Sequence, residues 1–88
     1  MIEIQITITN PSGLHARPAA QFVQKAASFK CKVKIAANGK VVDGKSILAV
    51  MGMGLKQHTL ITIITEGEEE AECSKALEDM IKSNFGEH

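Results

Sequence analysis

His15 lies between a loop that ends near Gly13 and an alanine-rich segment that begins at Ala16. The spacing of the alanines predicts a helix, so His15 is expected to be its N-cap or to lie next to it. The first N–H groups of a helix lack intrahelical acceptors, and with the helix dipole they form an anion site. An imidazole in this place could take up a phosphoryl group that the backbone N–H groups then hold.

The neighbours of His15 each have a use in such a site. Arg17 offers guanidinium donors to phosphate oxygens. Pro18 falls in the first turn of the predicted helix, where its missing N–H is tolerated and its ring stiffens the turn. Gly13 permits a backbone conformation that other residues rarely adopt. A histidine alone at a helix start is more often a cap or a surface residue, so the hypothesis depends on the whole run of residues 13–19.

A second motif occupies residues 44–54. Serine is a preferred N-cap, so Ser46 is predicted to begin a short helix over residues 47–53 that ends at Gly54. A phosphate on an N-cap serine adds about −1.5 to −2 charge at the favourable end of a helix. Phosphorylation of Ser46 is therefore compatible with a folded protein.

Three apolar residues of this short helix follow helical spacing: Ile47, Leu48 and Met51. A helix of two turns rarely buries every face, so we expect at least two of the three to be exposed, and exposed apolar groups mark contacts. Methionine repacks easily, so Met51 and Met53 suit a surface that meets several partners. Gly52 is expected to weaken the end of the helix.

The elements that must position these residues follow from the pattern of apolar side chains. Residues 2–9 alternate apolar and polar types, which predicts a half-buried strand. Further strands are predicted at 31–37, 40–43 and 60–65, with helices at 16–27, at 47–53 and near the C-terminal end. Asn38 and Gly39 suit a type I′ turn. This β-α-β-β-α-β-α order predicts an α+β fold, an open-faced β-sandwich in which three helices cover one side of a four-stranded antiparallel sheet.

Length and composition limit the class of protein. The 88 residues, 44% of them hydrophobic, predict a single folded domain over residues 1–88. Cys31 and Cys73 have no metal or redox spacing and are predicted to be buried structural thiols. His58 and His88 have no ligand spacing either, so no metal or other cofactor is predicted. We find no signal segment and no apolar run of the ~18 residues that a membrane span needs, and therefore expect a cytoplasmic protein.

Charge is unevenly distributed along the chain although the net charge is zero. Residues 1–58 carry eight basic and two acidic side chains, a net +6, and residues 59–88 carry a net −6. An acidic partner would be steered toward the basic part, which contains both motifs. Attraction between the two parts within the fold is an equally good explanation.

Residues 13–19, Gly-Leu-His-Ala-Arg-Pro-Ala, resemble the active-site motif of the HPr family, the histidine phosphocarriers of the bacterial sugar phosphotransferase system. Chain length, element order and the motif at residues 44–54 extend the resemblance to the whole chain. It implies that His15 accepts a phosphoryl group at Nδ1 from phosphorylated enzyme I and passes it to sugar-specific enzyme IIA proteins. Arg17 and the N–H group of Ala16 would stabilise that phosphate.

The same resemblance assigns roles to the second motif. Ile47, Leu48 and Met51 would contact enzyme I and other partners of a monomeric carrier. In relatives from low-GC Gram-positive bacteria, the serine that matches Ser46 is phosphorylated by the ATP-dependent HPr kinase/phosphorylase. That modification slows transfer through the histidine and favours binding to a catabolite-control repressor. Here Gly52 and Met53 stand where the family often has a Ser-Leu pair, which bears on partner preference.

Alternatives from other classes are a regulatory module that acts only through Ser46 and a small nucleic-acid binder. The presence of His15 argues against the first, and zero net charge without an aromatic RNA-binding strand argues against the second. A carrier that serves a regulatory or dihydroxyacetone branch remains open. The sequence contains no base, nucleophile pair or metal constellation of a free-standing enzyme, so we predict a phosphoryl-transfer intermediate.

Overall fold

A computed structural model of the chain describes residues 1–86. Its helices and strands are β1 (Ile2–Thr7), α1 (Ala16–Ala27), β2 (Lys32–Ala37), β3 (Lys40–Asp43), α2 (Ile47–Gly52), β4 (Leu60–Glu66) and α3 (Glu70–Lys82). The predicted order is confirmed. Helix α2 ends one residue earlier than predicted, because Met53 caps it and Gly54, with a φ of +62°, turns the chain.

The strands form one antiparallel sheet in the order β1-β4-β2-β3. Asn38 and Gly39 close the β2–β3 hairpin with φ angles of +52° and +78°, as the predicted type I′ turn requires. The register places Ile4 opposite Ile63, and Ile63 opposite Ile35, so the three neighbouring strands β1, β4 and β2 present these apolar side chains to one face.

The helices pack on that apolar face of the sheet. Its strands and helices together form one buried core, which contains Ile8, Leu14, Ala19, Phe22, Ala26, Val33, Ile35, Val50, Leu55, Ile61, Ile63, Cys73, Leu77, Ile81 and Phe85. The opposite face carries exposed polar side chains such as Glu3, Gln5 and Lys34. The prediction of an open-faced α+β sandwich is therefore confirmed. None of the helices within residues 1–86 combines the length and the apolar character needed to cross a membrane.

After α3 the chain makes a turn at Asn84–Gly86 that the sequence patterns do not predict. Asn84 and Phe85 both adopt positive φ there, at +57° and +53°. This conformation is rare for an aromatic residue. Here it directs the Phe85 side chain back into the core, where it is buried.

Two loops meet where α1 begins: the histidine loop (residues 8–15) and the β4 loop (residues 53–59). The Leu14 N–H donates to the Leu55 carbonyl oxygen at 2.9 Å, and the His58 N–H donates to the Ile8 carbonyl oxygen at 2.6 Å. Leu14 and Leu55 are both buried, so water does not compete for their hydrogen bond. The two loops therefore hold one another in place.

Asn10 stabilises the histidine loop through hydrogen bonds to Gly13. Its buried side-chain Nδ2 donates to the Gly13 carbonyl oxygen at 2.8 Å, and the Gly13 N–H donates to the Asn10 carbonyl oxygen at 3.1 Å. Gly13 has a φ of +64°, and a Cβ built on it would lie 2.4 Å from the Leu55 carbonyl oxygen. Glycine is thus required here for its conformation and also for the closeness of the two backbones.

Gly13→Ala is expected to destabilise the protein more than Gly54→Ala. Both positions have positive φ, but a Cβ on Gly54 meets no atom within 4 Å, whereas one on Gly13 clashes with backbone. Gly54→Ala should lower the free energy of unfolding by about 1–2 kcal/mol, the conformational term alone. Gly13→Ala should lower the free energy of unfolding by about 1 kcal/mol or more in addition to this conformational term. Urea denaturation measures both, and equal losses would contradict the close approach of the loops.

Candidate functional site

His15 is the N-cap of α1, as its place in the sequence predicts. Its backbone is extended, with φ of −78° and ψ of −174°, and its carbonyl oxygen accepts the Ala19 N–H at 2.8 Å. Within the part of the chain that the structure describes, the imidazole makes no capping hydrogen bond. The residue is exposed. The ring is therefore open to solvent and to a partner, while its backbone is fixed by the helix.

The N-terminal end of α1 offers backbone donors next to this ring. Pro18 lacks an N–H, and the Ala19 N–H is already bonded to the His15 carbonyl. The N–H groups of Ala16 and Arg17 are thus the donors that lack an intrahelical acceptor. Arg17 is exposed and can add its guanidinium group to an anion bound there.

A cleft of about 210 Å³ opens beside His15. Its lining comes from the histidine loop, α2 and the β4 loop: Ser12, Leu14, His15, Met51, Gly54, Leu55 and Lys56. Lys56 is exposed and brings a second cation to the site. Sequence reasoning did not single out Lys56, because only the contact between the two loops brings it to the histidine. The one signal in the sequence was its membership of the basic part of the chain.

An apolar surface on α2, formed by Ile47, Leu48 and Met51 and called here the α2 surface, adjoins the cleft. Its side chains are 39%, 82% and 40% exposed, respectively, which confirms the predicted exposure. Val50, on the opposite side of α2, is fully buried and anchors the helix to the core. Because Met51 also lines the cleft, the α2 surface continues to His15 without a break.

Ser46 is the N-cap of α2, as predicted. Its Oγ accepts the Ala49 N–H at 3.3 Å, and its carbonyl oxygen accepts the Val50 N–H at 3.0 Å. The Ser46 N–H donates to the Asp43 carbonyl oxygen at 3.2 Å, which holds the turn before the helix. The hydroxyl is half-buried at the start of α2, next in the chain to Ile47 of the α2 surface.

The remaining candidate residues do not line this cleft. Cys73 is fully buried as expected, but Cys31 is only half-buried, and both thiols are free. His58 is exposed in the β4 loop with a φ of +75°. Within residues 1–86, the His, Cys, Asp and Glu side chains form no group that could hold a metal ion. His88 lies outside the described residues.

Within residues 1–86, no ion pair joins a basic side chain of residues 1–58 to the acidic part, although the Met1 ammonium pairs with Glu70 at 3.0 Å. The side-chain ion pairs that the structure shows within residues 1–86 join Lys75 to Asp79 at 3.2 Å and Lys82 to Glu78 at 3.5 Å, both inside α3.

The chain is similar to known proteins over nearly its whole length. A family model described as the PTS HPr component phosphorylation site matches residues 2–83. Phosphocarrier protein HPr of Buchnera aphidicola subsp. Acyrthosiphon pisum is 46% identical over 80 residues, which cover 91% of each chain. A crystal structure of HPr-C-His from Thermoanaerobacter tengcongensis matches with a TM-score of 0.97 and 44% identity, covering 100% of this chain and 99% of that chain.

A crystal structure of an HPr dimer from the same organism matches with a TM-score of 0.80 and 45% identity, covering 99% of this chain and 100% of that chain. The monomeric state expected from the sequence therefore stays a prediction. The family itself is shown by the match over nearly the whole chain and by the identity to its members. The chain belongs to the HPr family, the phosphocarrier proteins of the bacterial phosphotransferase system.

Proposed function

We propose that this phosphocarrier accepts a phosphoryl group on His15 from phosphorylated enzyme I and passes it to sugar-specific enzyme IIA proteins. It is changed and restored in each cycle and is not a free-standing enzyme. The observation that carries the proposal is the placement of His15, an exposed imidazole on a fixed N-cap beside unpaired helix donors. We further propose that it works in the cytoplasm as a monomer, because successive partners need the α2 surface open.

The proposed phosphoryl site combines backbone donors with two exposed cations. With the phosphoryl group on Nδ1 of His15, the N–H groups of Ala16 and Arg17 would donate to its oxygens. The side chains of Arg17 and Lys56 would add positive charge, and both are exposed, so water and salt screen their attraction. Moderate stabilisation suits a carrier, since the phosphoryl group must leave the P–N bond as readily as it arrives.

Incubation with phosphoenolpyruvate and a cognate enzyme I is expected to place a single acid-labile phosphate on the protein. His15→Ala should carry none. His58→Asn is the matched control, because asparagine tolerates the positive φ of this exposed histidine, and it should label like the wild type. Scintillation counting before and after acid treatment measures the outcome. A wild-type protein that stays unlabelled would sink the carrier proposal.

We propose that the α2 surface docks enzyme I and the enzyme IIA proteins. Its apolar side chains lie beside the cleft that contains His15, and the exposed basic side chain of Lys56 lines that cleft. Such a surface fits a partner with an apolar centre and an acidic rim. Docking at this position would deliver the partner's reacting group directly to the histidine.

Leu48→Ala is expected to raise the KM for phosphoryl transfer from enzyme I by roughly 3- to 10-fold, because an exposed leucine loses its contact in the complex. The control is Leu60→Ala, since Leu60 is also exposed but lies on β4, on the sheet face away from the helices. Its KM should stay within about twofold of the wild type. Similar KM values for the two variants in a coupled transfer assay would refute docking through α2.

We also propose that Ser46 is phosphorylated by HPr kinase/phosphorylase. The hydroxyl caps α2 next to the α2 surface, so a phosphate there places about −1.5 to −2 charge where an acidic partner would dock. Repulsion would slow transfer through His15. A catabolite-control repressor that binds the phosphoserine form would be favoured by the same charge.

Treatment with ATP and that kinase is expected to yield an acid-stable phosphate that is absent from Ser46→Asn. Asparagine is chosen because it keeps a capping side chain, so a stability loss does not explain the result. The wild type phosphorylated at Ser46 should accept the phosphoryl group from enzyme I at least roughly tenfold more slowly than the unphosphorylated protein. The cause is repulsion between like charges at the α2 surface. An acid-stable phosphate on Ser46→Asn would contradict the regulatory role. So would an unchanged rate of phosphoryl transfer from enzyme I to the phosphorylated wild type.

A further inference from the structure

Cys31 and Cys73 are far apart in the chain, but the fold joins the segments that carry them. The Lys30 N–H donates to Glu69 Oε1 at 2.6 Å, and the Glu69 N–H donates to the Lys30 carbonyl oxygen at 3.3 Å. A Cβ built on Gly67 would lie only 3.0 Å from the Cα of Cys31. The start of β2 is therefore seated directly against the N-terminal end of α3, at what we call the β2–α3 junction (residues 30–31 and 67–69).

Cys73 faces this junction from inside α3. Its N–H donates to the Glu69 carbonyl oxygen at 2.9 Å, so Cys73 lies one helical turn beyond Glu69 on the same face. Cys73 belongs to the buried core, and the Cys31 side chain packs against that core. Both thiols are free.

The two thiols differ in access to solvent. Cys31 is half-buried and lines a groove of about 670 Å³ between the start of β2 and β3, with Val42 and Lys45 among its walls. Cys73 is fully buried behind it. Burial first, and then the interaction with the neighbouring Cys31 thiol, raises the pKa of the Cys73 thiol to about 12. Cys31 is therefore the thiol that a small oxidant reaches first, and Cys73 stays protonated beside it.

We propose that Cys31 and Cys73 are a dithiol site, which a hydroperoxide oxidises to an intramolecular disulfide and which a low-molecular-weight thiol reduces again. In the first step, with hydrogen peroxide, the Cys31 thiolate attacks an oxygen of the peroxide. An S–O bond forms, the O–O bond breaks and hydroxide leaves, so Cys31 becomes a sulfenic acid. The Cys73 sulfur then attacks the Cys31 sulfur, the S–O bond breaks, and the hydroxyl leaves as water with the Cys73 proton. The two electrons come from the thiols, and the peroxide ends as two molecules of water.

The site is independent of the phosphoryl chemistry proposed for His15. His15 begins α1, whereas Cys31 lies beyond the end of α1, and a helix of 12 residues is about 18 Å long. A disulfide between residues 31 and 73 would limit the unfolded chain and clamp the β2–α3 junction. Oxidation is thus expected to stabilise the fold without reaching the histidine loop.

The experiment treats the dilute, reduced, full-length protein with hydrogen peroxide and then counts thiols that alkylate after unfolding. The wild type should lose both thiols, its mass should fall by two hydrogen atoms, and a non-reducing digest should contain a peptide that links residues 31 and 73. Its Tm should rise by roughly 10 °C or more and return to the reduced value with dithiothreitol. Cys73→Ala, which keeps an apolar group in the core, should instead accumulate a Cys31 sulfenic acid that dimedone traps.

Cys31→Ser is the matched variant. It is expected to fold even if Cys73→Ala does not, because Cys31 is only half-buried. After peroxide it should still carry its remaining thiol and show no change in Tm. The proposal is overturned if the wild type keeps both thiols, or oxidises only as far as a sulfinic acid on Cys31. It is equally overturned if the disulfide joins two molecules, or if the linked protein melts below the reduced one.

Discussion

The candidate phosphoryl site depends on one backbone contact, the approach of the histidine loop to the β4 loop. The Leu14 N–H reaches the Leu55 carbonyl oxygen at 2.9 Å, and Gly13 beside it leaves no room for a Cβ. Because this contact lies immediately before His15, it determines where α1 begins and the direction in which the imidazole leaves the chain. Burial of both leucines keeps water from the hydrogen bond, so the loop is held although its histidine is exposed.

The same contact assembles the site from segments that are distant in sequence. It brings Lys56 to the cleft of His15 and places the end of α2, with Met51, at the rim of that cleft. Helix α2 is too short to be stable alone, and it is held by the Ser46 cap on one side and by buried Val50 on the other. An apolar surface that is exposed but anchored in this way can meet a partner without rearrangement, which lowers the entropic cost of docking.

Local patterns in the sequence predicted the elements, because each pattern is a direct result of one-sided burial. The alternation in β1, the alanine spacing of α1 and the Asn38–Gly39 turn all appear as expected. The same is true of the two N-caps, His15 and Ser46, since capping is decided within a single turn of helix. Fold class and the centre of the site could thus be predicted from residues that lie close together in the chain.

The features that escaped prediction are contacts between elements. The place of Lys56 at the cleft and the contact of Lys30 with Glu69 depend on the strand order and on how α3 lies across the sheet, which no periodicity encodes. The positive φ of Phe85 likewise has no local cause, since it is maintained by burial of the aromatic ring. Conformational preferences of single residues are overruled wherever the core gains more from burial than the backbone loses.

Helix α1 separates the two sites for which we propose chemistry. Its N-terminal end places His15 against the β4 loop, and the chain beyond its C-terminal end places Cys31 against α3. Changes at sites more than about 7–10 Å apart, with no shared contacts, are usually additive in free energy. A domain of this size buries a modest fraction of its surface, so added stability at the β2–α3 junction would be substantial for the whole fold. It would leave the histidine loop as it is, because that loop is held by Leu14 and Leu55, which have no part in the junction.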